Sequence, residues 1–171
     1  MRATRQRSET MPFEHAHEHR DDNMMVVQAN IDDMNPEFCS FVTDRLLAAG
    51  ANDVYWIPII MKKGRPGIML NVLVDAAKLE PVEAVVFAET STLGLRYTRV
   101  ACHRLGRTFE QVETPWGPMT VKVGYHNGEM VQFAPENGEC ERIAKEHGVP
   151  LKTVYEQVRS RFMQRHDGGP N

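Results

Sequence analysis

Two apolar runs, "VYWIPII" and "IMLNVLV", are separated by only the seven residues "MKKGRPG" at positions 61 to 67. A parallel crossover needs about a dozen residues or more, so a gap this short makes the two runs antiparallel neighbours in one sheet. A hairpin turn needs only a residue that tolerates positive φ, and one glycine suffices. This turn carries Lys62, Lys63, Arg65, Pro66 and two glycines, Gly64 and Gly67. Three cations in four positions repel one another unless they are solvated or face an anion.

The segments around the hairpin complete a topology. "MMVVQANIDD" reads as a strand from about residue 25 to 32. "NPEFCSFVTDRLLAAGA" follows with helix punctuation: Asn35 suits a cap, Pro36 the first helical position and Gly50 the position after the end. Phe38, Phe41, Val42, Leu46 and Ala49 recur at helical spacing as one apolar face. Beyond the hairpin, a second helix fits residues 79 to 90, with Val82, Val85 and Val86 as its buried stripe. "GLRYTRVACHRLGRTFEQVE" reads as one long strand or two, alternating between Leu95 and Cys102. The order β-α-β-β-α-β predicts an α+β, ferredoxin-like sheet with two helices on one face. A β-hairpin turning at Pro115, Trp116 and Gly117 and a C-terminal helical pair follow, the first helix stopping at Gly148 and the second starting near Pro150. The expected organisation is a disordered, His-containing tail or linker over 1–24, a ferredoxin-like domain over 25–108, and a hairpin and two-helix extension of that domain over 109–166.

Composition excludes several classes. A net charge of -3 and a pI near 6.2 argue against a generally basic nucleic-acid binder. The longest apolar runs fall well short of the roughly 20 residues that span a bilayer, and the N-terminus is polar, so a soluble cytoplasmic protein without membrane contact is expected. Cys39, Cys102 and Cys140 are odd in number and widely spaced, as expected of reduced thiols rather than a disulfide framework. Cys140 is expected in the core, and Cys102 and His103, adjacent in a strand, face apart.

Four clusters carry possible chemistry. Asp32 and Asp33 end the first strand just before a helix. A carboxylate there suits Mg²⁺ or Mn²⁺ beside phosphate oxygens, or simply favours the helix N-terminus, and strand alternation turns only one of the two toward a given site. Lys62, Lys63 and Arg65 on a glycine-hinged loop suit a phosphate or carboxylate; the alternative is a solvated loop that discourages edge pairing. Thr90, Ser91, Thr92 and Arg96 offer hydroxyls and a guanidinium suited to phosphate or ribose, although Ser and Thr also terminate helices by themselves. "HAHEH" sets His15, His17 and His19 on one face of an extended chain, where they either bind a borderline divalent metal or belong to a solvated tail.

Taken together, "NIDDMNPE", "LLAAGANDVYWIPIIMKKGRPG", "ETSTLGLRYTR" and "APENGECERIAKEHGVPLKTVY" resemble the C-terminal domain of LarC-type nickel insertion proteins, over about residues 26 to 160. The resemblance implies a ferredoxin-like domain that binds CTP with Mg²⁺ or Mn²⁺ and assembles into homo-oligomers. It implies a CTP-dependent nickel chelatase of the lyase class, with Ni²⁺ as substrate. The metal is loaded into pyridinium-3,5-bisthiocarboxylic acid mononucleotide to make the nickel-pincer cofactor of lactate racemase. The anion facing Lys62, Lys63 and Arg65 would then be the CTP triphosphate or the precursor's phosphate. Asp32 or Asp33 would hold the divalent cation, and Thr90, Ser91, Thr92 and Arg96 would help surround the nucleotide. Family members carry a larger N-terminal domain, so activity is expected only with an N-terminal LarC partner, as a separate chain or a missing part. Where the family has "PEYEDC", this chain has "PENGEC" and lacks the tyrosine. The rival expectations are a non-catalytic module for an anionic effector and an oligomerisation scaffold.

Overall fold

A computed structural model describes residues 17–167. The chain divides into two compact units, Arg20–Cys102 and, with the segment up to His19, His103 onward.

The first unit is built on a four-stranded sheet. Its strands are β1 (His19–Ile31), β2 (Ala51–Ile60), β3 (Pro66–Asp75) and β4 (Arg96–Arg104), arranged in the order β2-β3-β1-β4. Helix α1 (Phe38–Ala48) links β1 to β2, and α2 (Leu79–Glu89) links β3 to β4. This is the ferredoxin-like βαββαβ arrangement expected from the spacing of the apolar runs. β3 pairs antiparallel with both β2 and β1, Leu70 lying opposite Trp56 on one side and Ala29 on the other. Val27, Ala29 and Ile31 alternate along β1, and Leu70, Val72 and Val74 along β3. They meet Val42 and Leu46 of α1 and Val82 and Val86 of α2 in one apolar core.

The helix punctuation holds at Gly50 but not at the start, where α1 begins at Phe38 with Glu37 at the cap position, and Asn35 and Pro36 form the turn before it. Asn35 Oδ1 accepts from the Glu37 backbone N–H at 3.1 Å, and Gly50 adopts φ +105° after α1. The expected apolar face of α1 is narrower in the fold. Val42 and Leu46 are buried, but Phe38 and Phe41 are 50% and 56% exposed. Phe41 is offset from Val42 by about 100° around the helix, which turns it away from the sheet. β1 also begins at His19 rather than near residue 25. Its first residues lack apolar periodicity, and a backbone ladder can hold them extended without any buried side chain.

The second unit holds a three-stranded antiparallel sheet of β5 (Gly106–Thr114), β6 (Gly117–His126) and β7 (Glu129–Pro135), covered by α3 (Asn137–His147) and α4 (Leu151–Asp167). The expected hairpin is thus extended by a third strand. β7 escapes a reading by alternation because its first four residues are all exposed and its pairing slips at Gly124/Tyr125. The core comprises Val112, Met119, Val121 and Val123 of the sheet with Cys140, Ile143, Val154, Val158 and Phe162 of the helices. Cys140 is buried as expected, and burial pushes its thiol above the usual range. Gly148 ends α3 in the left-handed region at φ 62°. No helix among the described residues is long and apolar enough to cross a membrane.

Candidate functional site

β1 and β2 finish, and β3 and β4 begin, at the same end of the four-stranded sheet. Three segments distant in sequence meet there: Asp32 and Asp33 after β1, the cationic loop between β2 and β3, and residues 90 to 96 between α2 and β4.

The cationic loop is a tight connection closed by the Met61 N–H donating to the Arg65 carbonyl at 2.8 Å. Lys62–Gly64 form a single 3-10 turn, with Lys63 at φ 63° and Gly64 at φ 69°. A lysine in the left-handed region is costly by about 1–2 kcal/mol relative to ordinary helical geometry, and only glycine adopts it freely. Gly67 is required for a different reason. A β-carbon there would lie 2.7 Å from the Ile31 carbonyl oxygen and 2.9 Å from Met61 Sδ. The loop therefore packs directly on the end of β1. Lys62, Lys63 and Arg65 are all exposed, and neither lysine has an ion pair among the described residues.

β1 ends at Ile31, so the two aspartates lie in the bend after the strand rather than in it, and they diverge to different partners. Asp32 Oδ2 faces Arg65 Nη1 at 3.4 Å, whereas Asp33 Oδ1 accepts a hydrogen bond from the Ser91 hydroxyl. Carboxylate, guanidinium and hydroxyl thus tie the three segments together across the sheet end. The neighbouring hydroxyls do something else. Thr90 Oγ1 donates to the Val86 carbonyl at 2.7 Å, and Thr92 Oγ1 donates to the Gly94 carbonyl at 3.0 Å. Both donate their proton locally, in ending α2 and shaping the turn after it. Of the three hydroxyls, only Ser91 reaches another segment.

Arg96 opens β4 and lies across the face of the sheet opposite the helices. Its Nε donates to Gln28 Oε1 at 3.1 Å and its Nη2 to Asn30 Oδ1 at 2.7 Å, with Met69 Sδ at 3.0 Å. Gln28 Nε2 in turn donates to Asn71 Oδ1 at 2.6 Å across the β1–β3 ladder. Asn71 is 1% exposed, a buried polar side chain held by this network. Gln28, Asn30 and Asn71 were not singled out in the sequence. The signal for Gln28 and Asn30 is a polar side chain at every second position of "VVQAN"; across the ladder Gln28 faces Asn71 and Asn30 faces Met69.

A second cluster lies in the other unit. Of the "HAHEH" histidines, His15 lies outside the described residues, His17 is exposed, and His19 Nδ1 stands 2.9 Å from the His17 carbonyl oxygen. The structure draws attention instead to the glutamate between them. Glu18 Oε1 lies 2.7 Å from His103 Nε2 and 2.9 Å from His126 Nδ1, while Oε2 accepts from the Asn127 backbone N–H at 2.7 Å. The Asn127 bond, joined by those from His126 and His103, outweighs desolvation and holds the Glu18 carboxyl below its ordinary range. His103 faces away from Cys102 as alternation demands, but toward these partners.

The profile of the family described as nickel insertion protein matches residues 1–155. The chain belongs to the nickel insertion protein family. It is 44% identical over 133 residues to the pyridinium-3,5-bisthiocarboxylic acid mononucleotide nickel insertion protein of Clostridium kluyveri, covering 78% of this chain and 33% of that protein. It is 44% identical over 137 residues to the protein of the same description from Clostridium acetobutylicum, covering 80% of this chain and 33% of the other. The chain thus spans about one third of the length of these curated relatives. Among solved structures it is similar to the apo form of LarC2, described as the C-terminal domain of a cyclometallase involved in the synthesis of the NPN cofactor of lactate racemase. That match has a TM-score of 0.78 at 32% identity and covers 85% of this chain and 98% of the other.

Proposed function

We propose that this chain is the nucleotide-binding, C-terminal part of a CTP-dependent nickel insertase. The enzyme loads Ni²⁺ into pyridinium-3,5-bisthiocarboxylic acid mononucleotide to make the nickel-pincer cofactor of lactate racemase, with an N-terminal LarC domain as partner. The observation that carries the reading is the meeting of Asp32, Asp33, Arg65 and Ser91 at one end of the sheet, beside two exposed lysines. Family membership and the names of the relatives supply the substrate.

Lys62, Lys63 and Arg65 would receive the triphosphate, Lys as point charges and Arg as a planar fork. On binding, the exposed Arg65 guanidinium would exchange its half-buried Asp32 partner, 3.4 Å away, for phosphate oxygens, a small loss because an ion pair this long and open to water contributes little. Carboxylate oxygens are the hard donors that Mg²⁺ and Mn²⁺ prefer, and Asp32 and Asp33 each engage a neighbour through one oxygen. A cation held there would offset phosphate charge. Ser91 is the hydroxyl best placed to meet the nucleotide, with Thr90 and Thr92 shaping its loop and Arg96 anchored alongside on Gln28 and Asn30. Phe38 and Phe41, half exposed on α1, support self-association into a homo-oligomer. The setting is cytoplasmic, and the activity is that of a lyase-class nickel chelatase.

The test joins this chain to an N-terminal LarC domain and supplies Ni²⁺, Mn²⁺ and the bisthiocarboxylate mononucleotide. Nickel-loaded product should form with CTP and not with UTP. Equal loading without any nucleotide would reduce the chain to an effector module or a scaffold.

A further inference from the structure

We propose that Glu18, His103 and His126 form a binding site for a late first-row divalent ion of the Ni²⁺ or Zn²⁺ kind, different in donor set from the carboxylates that follow β1. The three ligand atoms lie within 4.8 Å of one another. Glu18 Oε1 is 2.7 Å from His103 Nε2 and 2.9 Å from His126 Nδ1. An ion with bonds of about 2.1 Å places adjacent octahedral ligands about 3.0 Å apart, so these separations are already those of ligand edges. The imidazole rings are 6.0 Å apart between centroids and inclined at 67°. They are splayed rather than stacked, with one nitrogen of each directed at the same carboxylate oxygen.

The donor set selects the metal. Two imidazole nitrogens and one carboxylate suit Ni²⁺, Zn²⁺ and Cu²⁺, whereas Mg²⁺ and Ca²⁺ prefer oxygen alone. The surroundings orient the ligands. The Asn127 N–H fixes Oε2 of Glu18 and so turns Oε1 toward the histidines. Asn127 sits in the β6–β7 turn at φ 51°, followed by Gly128 at φ 82°, so the turn itself directs that amide. The Asn127 side-chain amide lies 3.3 Å from His126 Nε2. Turned end for end, it would accept the Nε2–H that the imidazole carries when Nδ1 binds metal. The His103 and His126 side chains are 45% and 48% exposed, which leaves coordination positions open to water or an exchanging ligand. A purely structural cluster accounts for this less well, since exposed ion pairs add little stability and here two imidazoles converge on one oxygen.

The experiment is calorimetric titration of the whole chain with Ni²⁺ alone, without nucleotide, repeated with Mn²⁺. One ion should bind, with Ni²⁺ much preferred to Mn²⁺. His103→Ala/His126→Ala and Glu18→Gln should each weaken Ni²⁺ binding by about tenfold or more, the size of effect seen when a site loses orientation or ligands. His15→Ala/His17→Ala/His19→Ala should leave that affinity unchanged. A readout independent of substitution is proton NMR, where added Co²⁺ should broaden the His103 and His126 ring signals first. Loss of binding in the tail variant alone, equal affinity for Mn²⁺, or ring signals untouched by Co²⁺ would each overturn the proposal.

Discussion

The carbonyl oxygen of Ile31 stands 2.7 Å from where a β-carbon on Gly67 would lie. The cationic loop is therefore seated on the residue just before Asp32, and the loop and the carboxylates form one mechanical unit. Gly67→Ala forces backbone apart and should cost about 1–3 kcal/mol, as overpacking does. Gly64→Ala meets no atom within 4 Å and suffers only its left-handed backbone, at φ 69°, about 1 kcal/mol. Urea unfolding of the two variants should rank them in that order, and only Gly67→Ala should also displace Asp32 and weaken nucleotide binding. Equal costs would mean that the loop is not seated on β1.

The three loop cations should matter for binding and not for folding. Lys62→Ala/Lys63→Ala/Arg65→Ala should change stability by only about 0.5 kcal/mol, because all three are exposed. The same variant should lose most of its affinity for CTP. Conversely, Lys63→Gly relieves the φ of 63° and should raise the urea midpoint while reducing affinity. Unchanged affinity in the triple variant would remove this loop from the site.

Tyr97 and Glu83 give a pH signature. The hydrogen bond to Glu83, followed by burial and the Glu83 charge, pushes the Tyr97 hydroxyl from 10.0 up to about 12. The folded state favours the neutral phenol, so this contribution is fully present below pH 10 and is lost as pH rises toward 12. Ultraviolet titration should show a late-ionising tyrosine that disappears in Tyr97→Phe. An identical titration curve for that variant would refute the assignment.

The network on the far face of the sheet predicts non-additivity. Asn71→Leu leaves the Gln28 amide without its 2.6 Å partner and should cost about 1–3 kcal/mol. Adding Gln28→Leu should recover part of that loss, because no unpaired amide then remains, the shortfall reflecting the Arg96 Nε bond lost with Gln28. A double-mutant cycle by urea unfolding measures the coupling, and additive losses would contradict it.

Much of this was legible in the sequence because it depends on local rules. The hairpin around residues 61 to 67, the stripes through Val82 and Val86, and the Gly50 and Gly148 helix ends follow from periodicity and backbone freedom. What was hidden depends on partners far along the chain. Phe38 and Phe41 share helical spacing with Val42, but only the sheet's position decides which of them it covers. That Thr90 and Thr92 donate to the Val86 and Gly94 carbonyls depends on the turn after α2, which the residue types alone do not specify. Glu18 was overlooked between conspicuous histidines because its partners, His103 and His126, lie far away in sequence and on strands that turn them back to it. Asp32, Asp33, Arg65 and Ser91 stand out singly in the sequence, but only the fold pairs Asp32 with Arg65 and Asp33 with Ser91.

The most direct measurement is calorimetric titration of the chain with CTP, with and without Mn²⁺, alongside ATP and UTP. A nucleotide site at this end of the sheet predicts CTP binding that is base-selective, strengthened by Mn²⁺ and lost in Asp32→Ala/Asp33→Ala. Binding that ignores base and metal, or that survives loss of both carboxylates, would contradict it.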